Sequence, residues 1–176
     1  MKRFGIFVVV MIAMLIVDQL VKGWVRQAIP VAHASWNGGK PFPGFFEITL
    51  TYNQGIAFGL FKGMAKLMTP IAVAIAGGAG WYSWRHPDET STAHVAMGLL
   101  AAGALGNLYD RLFDAQGVTD MFWFRAIDFP VFNIADACIT VATILLIFTW
   151  WADALKHRAK TVPEPIVGET PLAADE

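Results

Sequence analysis

Asp136 is the one charged side chain in VFNIADACITVATILLIFTWW, residues 131–151, a stretch otherwise fit for lipid. Ionisable groups in such surroundings are expensive and mark functional sites by default. No lysine or arginine lies within a helical turn of Asp136; its neighbours are Ile134, Ala135, Ala137 and Cys138. An unpaired carboxylic acid placed there is driven towards its neutral form. Beside a second carboxylate it can share one proton, because two like charges so close cannot both ionise cheaply. Aspartic proteolysis needs that arrangement: one carboxylate takes a proton from water while the other hydrogen-bonds the scissile carbonyl. Asn133, Asp136, Thr140 and Thr143 fall at i, i+3, i+7 and i+10 and share one helix face. Asp110, Asp114, Asp120 and Asp128 all precede Asp136, and spacing alone does not choose its partner.

Other polar groups admit structural readings. Asp18 and Lys22 sit four apart, the spacing of a local helical ion pair. Gly98, Ala102, Gly106 and Asp110 make a small-residue stripe for close helix contact, ending in a carboxylate. Asn107 lies three residues before Asp110, and Asp110 beside Arg111 reads as a structural pair. Alternative hydrolytic chemistry fits badly. Ser35, Ser83 and Ser91 stand in no nucleophile elbow, and His33, His86, His94 and His157 form no HExxH pair. His94 is expected at the membrane interface, and Cys138, about 200° round the helix from Asp136, as a packed core thiol. No metal site is expected, and with one cysteine no intrachain disulfide can form.

The elements that must position these groups are hydrophobic. Of 176 residues, 56% are hydrophobic and 15% charged, against roughly 45–50% and about 25% in a soluble domain. A membrane protein follows. The net charge of −1 leaves no basic footprint for nucleic acid. Four apolar segments run from Phe4, from Leu67 to Trp84, from Ala93 to Tyr109 and from Val131 to Trp151. A span needs about 20 residues, which the first segment reaches only if its helix continues past Asp18. MKR, an apolar run and then AHA resemble a cleavable leader. However, DQLVKGWVRQ intervenes where a cleavage site should follow closely, so a retained first helix is expected. Four spans place both termini on one side; Lys and Arg divide six against seven between the sides, which leaves orientation open. The connection 30–66 contains FFEITLTY followed by the NQG turn signal and is read as a small extracytoplasmic β-element, at about residues 40–62. Residues 110–130 are read as an aspartate- and aromatic-rich connection at the interface. The division expected is one membrane domain, residues 1–155, and a polar, disordered tail, 156–176.

Five blocks, in order, carry a resemblance. DQLVK at Asp18–Lys22, TYNQGIAFG at Thr51–Gly59, GALGNLYDR at Gly103–Arg111, VTD at Val118–Asp120 and FNIAD at Phe132–Asp136 are similar to the blocks of the lipoprotein signal peptidase, or signal peptidase II, family. The resemblance extends from Asp18 to about Trp151. It implies an all-α bacterial inner-membrane protein with four transmembrane helices and cytoplasmic termini, whose active site lies near the periplasmic face. It implies an aspartic endopeptidase, without cofactor, that cuts prolipoproteins on the N-terminal side of a diacylglyceryl-modified cysteine. The partners expected are that substrate and membrane lipid, with no nucleic acid, and the chain is expected to act as a monomer. The block match assigns Asp120 as the catalytic partner of Asp136, and Asp110 as a supporting group. Here the block reads V-T-D-M where the family's is closer to V-V-D-F, and Asp128 is the fallback.

The remaining roles follow by match and chemistry. Asn53, Asn107 and Asn133 can hold substrate backbone or orient a carboxylate without disturbing the shared proton. Arg111 is expected to pair with Asp110, Asp18 to anchor the end of the first helix with Lys22, and Ala137 to stand beside the dyad. Gly55 and Ala57 fall where the β-element must approach the bilayer. The rival class is a non-enzymatic transporter or lipid-binding scaffold, its intramembrane carboxylates serving as proton or cation sites.

Overall fold

The structure is a computed structural model that describes residues 2–55 and 65–160. It is mostly helical, with α1 Lys2–Ala28, α2 Ala65–Arg85, α3 Ser91–Phe113 and α4 Ile134–Lys160, and strands β1 Pro41–Phe42, β2 Phe46–Asn53 and β3 Val118–Trp123. The far end of the expected β-element, Ala57 within it, and the tail from residue 161 lie outside the described residues. α4 runs on to Lys160, past the boundary expected at residue 155.

α1 carries no proline and continues through Asp18 and Lys22 until Pro30, which disfavours helix in the residue before it. Among the described residues, α1 over Arg3–Ala28 and α4 over Ile134–Ala152 are long and apolar enough to cross a membrane. α3 differs because it is the central helix. It packs against α1, α2 and α4, and its contact faces are small. A Cβ on Gly103 would strike the Ala135 carbonyl oxygen of α4, and one on Gly106 would meet Asp18 Oδ2 of α1 at 2.6 Å. The small-residue stripe is therefore helix packing, as its spacing suggested. Thr90 caps the start of α3 by accepting the Ala93 N–H at 3.1 Å.

The sheet has the order β1-β2-β3, antiparallel throughout. Its third strand falls in the connection read only as an interfacial loop. Val118–Trp123 pairs with β2 from far along the chain, and a local reading of the sequence does not see such a partner. The sheet closes over the end of α1: Val25 of the helix and Ile29 just beyond it pack with Leu50 of β2 and Met121 of β3.

Candidate active site

Asn133 ends the approach to α4 and caps it. Its side-chain oxygen accepts the Asp136 N–H at 2.9 Å, and the Asp136 carboxylate accepts the Asn133 N–H at 3.2 Å. This is the reciprocal capping box, with aspartate in the usual place of glutamate at the third helical position. It settles what balances a carboxylate in an apolar run: Asp136 lies in the first turn, where free N–H groups and the helix dipole favour negative charge. A third donor comes from α3, where Asn107 Nδ2 reaches Asp136 Oδ1 at 2.8 Å.

β3 brings Asp120 to the same place. Asn133 Nδ2 donates to Asp120 Oδ1 at 2.7 Å and to Asn107 Oδ1 at 3.0 Å. One asparagine therefore holds both aspartates. Asn53, at the end of β2, also hydrogen-bonds Asp120, and its side-chain Oδ1 accepts the Gly55 N–H at 3.0 Å, a local Asx turn. Burial pushes the Asp120 carboxyl up to about 7, and the nearby charge of Asp136 adds to the rise; the amides of Asn133 and Asn53 oppose it. Asp120, Asp136, Asn53, Asn107, Arg111 and Ala137 line one cavity of about 790 Å³, whose walls are Phe124, Ile127, Phe129, Phe132, Ile139 and Val141 among others. That volume is in the range of ligand sites. The fallback residue Asp128 ends a 3-10 turn in a left-handed conformation, is exposed, and does not line the cavity.

Behind this pair lies a second carboxylate cluster. Lys22 Nζ, fully buried, stands 2.9 Å from both Asp18 Oδ2 and Asp110 Oδ2 and 3.2 Å from Asn107 Oδ1. Asp18 also accepts the Ala135 N–H of α4 at 2.9 Å, and Asp110 the Thr119 N–H of β3 at 3.1 Å. These six groups lock three helices and a strand together.

Two expectations are corrected. Asp110 pairs with Lys22, not Arg111, because successive helical residues diverge by about 100°; Arg111 turns to the cavity and donates to the Asn107 carbonyl at 3.3 Å. Asp18 and Lys22 do pair four residues apart, but inside a buried cluster and not at a helix end, because α1 continues to Ala28. His94, in the first turn of α3, is 1% exposed between helices and 2.5 Å from the Ser83 hydroxyl. Cys138 is buried, as expected of a core thiol.

Two polar residues escaped the sequence reading. Gln19 donates to Asp18, Asp110 and the Gly106 carbonyl at 3.1–3.2 Å; its place next to Asp18 was the available signal. Glu47, buried in β2, accepts from Ser35 at 2.6 Å, the Gly44 N–H at 2.8 Å and Arg125 at 3.0 Å. These donors hold its carboxyl below the usual carboxylate range. Glu47 braces the sheet outside the cavity, and no motif marked it.

Comparison with known proteins agrees with this geometry. Residues 10–152 match the family model described as signal peptidase (SPase) II. Curated relatives include the lipoprotein signal peptidase of Streptococcus pneumoniae, 35% identical over 149 residues, covering 84% of this chain and 93% of the relative. That of Streptococcus pyogenes is 34% identical over 149 residues, covering 84% and 94%. A solved structure described as a bacterial membrane enzyme at 2.3 Å resolution superposes with a TM-score of 0.74 at 28% identity, covering 92% of this chain and 94% of the other. The chain belongs to the signal peptidase II family.

Proposed function

We propose that the chain is a membrane-embedded aspartic endopeptidase that removes the signal peptide of prolipoproteins, cutting on the N-terminal side of the diacylglyceryl-modified cysteine, with Asp120 and Asp136 as the catalytic pair. The observation that carries this reading is Asn133, which hydrogen-bonds both aspartates at the wall of one cavity.

The chemistry runs on one proton. Asp120, raised by burial, keeps it; Asp136, served by N–H donors at the start of α4, carries the charge. Asp136 takes a proton from a water held between the carboxyls. The hydroxide so formed attacks the scissile carbonyl carbon, and the Asp120 O–H hydrogen-bonds the carbonyl oxygen as negative charge develops there. Collapse breaks the C–N bond, and the proton held by Asp136 passes to the leaving amine. The apolar walls suit acyl chains and the hydrophobic residues of a signal peptide. Asn53, Asn107 and Arg111 are placed for substrate backbone.

All four helices span the bacterial inner membrane in this reading. α2 and α3, with 21 and 23 residues, reach roughly 30 Å or more at 1.5 Å per residue, the thickness of the hydrocarbon core. Exposed Trp81, Trp84, Trp150 and Trp151 gather towards the end where the termini lie, and exposed Trp24 and Tyr109 towards the cavity end, in the manner of interfacial belts. The termini are cytoplasmic and the sheet with its cavity faces outward. One chain supplies both carboxylates, so a monomer suffices.

Asp136→Asn tests the mechanism. It keeps shape and polarity but cannot act as a base. Turnover of a diacylglyceryl-modified precursor, followed on a gel and normalised to folded enzyme, should fall at least about 10²–10⁴-fold while precursor binding survives. Near-normal turnover would sink the dyad and restore the transporter or scaffold reading.

A further inference from the structure

Asp120 sits where the β-ladder is least able to aim it. β2 and β3 are in register at Glu47↔Trp123 and Ile48↔Phe122, and again from Thr51↔Asp120 through Tyr52↔Thr119, with a shift between. Three steps on β2 answer two on β3, so β2 carries one extra residue immediately beside Asp120. Bulges of this kind bend a strand and re-aim its side chains. Asn133 holds the carboxyl itself at 2.7 Å, but the strand that carries it needs its own brace.

The preceding residue is held from the other side of the strand. Successive strand side chains point to opposite faces, so Thr119 faces away from the cavity. There Arg26 of α1 donates to its hydroxyl at 2.8 Å. The same guanidinium nitrogen lies 3.5 Å from Asp114, the residue that ends α3. The Thr119 N–H is taken by Asp110 at 3.1 Å, and its side chain is wholly buried. One residue before Asp120, the strand is tied through its amide to α3 and through its side chain to α1.

We propose that Arg26 and Thr119 form a clamp that aims Asp120 at the cavity, and that both are positioning residues for the reaction; this rests on the reading of Asp120 as catalytic. A misplacement of about 1 Å in a reacting group can cost on the order of 100-fold, and loss of the clamp leaves the bulge free to relax.

The test uses the full-length enzyme in detergent with a diacylglyceryl-modified precursor. Thr119→Val keeps shape and removes the hydroxyl; Thr119→Ser keeps the hydroxyl. The valine variant should lose about tenfold in kcat with KM unchanged, and the serine variant should recover most of it. Arg26→Gln, at a part-exposed site that tolerates change, should match the valine variant. The double variant should be no slower than the slower single one, because both remove the same contact. Valine activity within about twofold of the parent, or losses that multiply in the double variant, would overturn the clamp. If the valine variant does not fold, Arg26→Gln decides alone: parental kcat overturns the proposal and a tenfold loss at constant KM upholds it. Asp120→Asn is run beside them. If it stays active, the catalytic reading of Asp120 is at fault. If it is dead while Thr119→Val is normal, only the clamp fails.

Discussion

Two pairs of aspartates share one end of the bundle and live by different rules. Asp18 and Asp110 close on Lys22 at 2.9 Å each. Asp120 and Asp136 are held by the amides of Asn133 and Asn107; among the described residues neither makes an ion pair. A cation beside a carboxylate settles where its proton goes. An amide orients the carboxylate and leaves the proton free to move. Identical side chains thus stand as a structural lock in one cluster and, in the proposed mechanism, as a proton-transfer pair in the other, and Asn107 touches both.

The sharpest way to break this contrast is to remove the cation. Lys22→Met leaves two buried carboxylates uncompensated and should cost about 3–5 kcal/mol, read as lost folded yield and a lowered unfolding temperature. Preserved stability would mean that the cluster is not a lock. Asp110→Asn should cost less, about 1–3 kcal/mol, since the amide keeps some of the hydrogen bonds. Turnover per folded molecule should stay within a few-fold of the parent. Asp136→Asn should do the reverse, folding well and turning over nothing. If the two variants behave alike, the division between the clusters is false.

A third measurement follows the proton. The proposed mechanism needs Asp120 protonated, and burial pushes its carboxyl up to about 7. Turnover should therefore fall as pH rises through about 7, approaching tenfold per unit well above it; a flat profile from pH 6 to 9 would show that Asp120 is not the acid. The smallest effect is on stability. A carboxyl raised in the folded state favours folding below its unfolded value near 4, and that contribution is lost as pH rises towards 7. Asp120→Asn escapes the loss. It should melt at least about 2–4 °C above the parent at pH 8 and close to it at pH 4.

Much of the site could be read before any coordinates. Asp136 stood out because a carboxylate in an apolar run has no cheap explanation, and Asn133 three residues earlier was on its face. The helices were legible because length and hydropathy are local quantities. The choice of Asp120 was not legible from spacing; four aspartates stand between residues 110 and 128, and the resemblance of the V-T-D block supplied the preference. What sets Asp120 apart from Asp128 is that β3 pairs with β2, a contact between residues about seventy positions apart. Nothing within the aspartate-rich connection records that pairing.

The same division explains the errors. Asp110 with Arg111 looked like a pair because the two are near in sequence; Asp18 with Lys22 does pair, but inside a larger cluster. In three dimensions Lys22 reaches across to α3, and Arg111 turns away towards the cavity. The sequence by itself determined that this chain would form apolar helices, that Asp136 would begin one of them, and that its neighbours would include amides in place of cations. Only the tertiary structure decided which carboxylates meet a cation and which meet each other, because ion pairing and proton sharing depend on distances of a few ångströms between elements that the chain order keeps far apart.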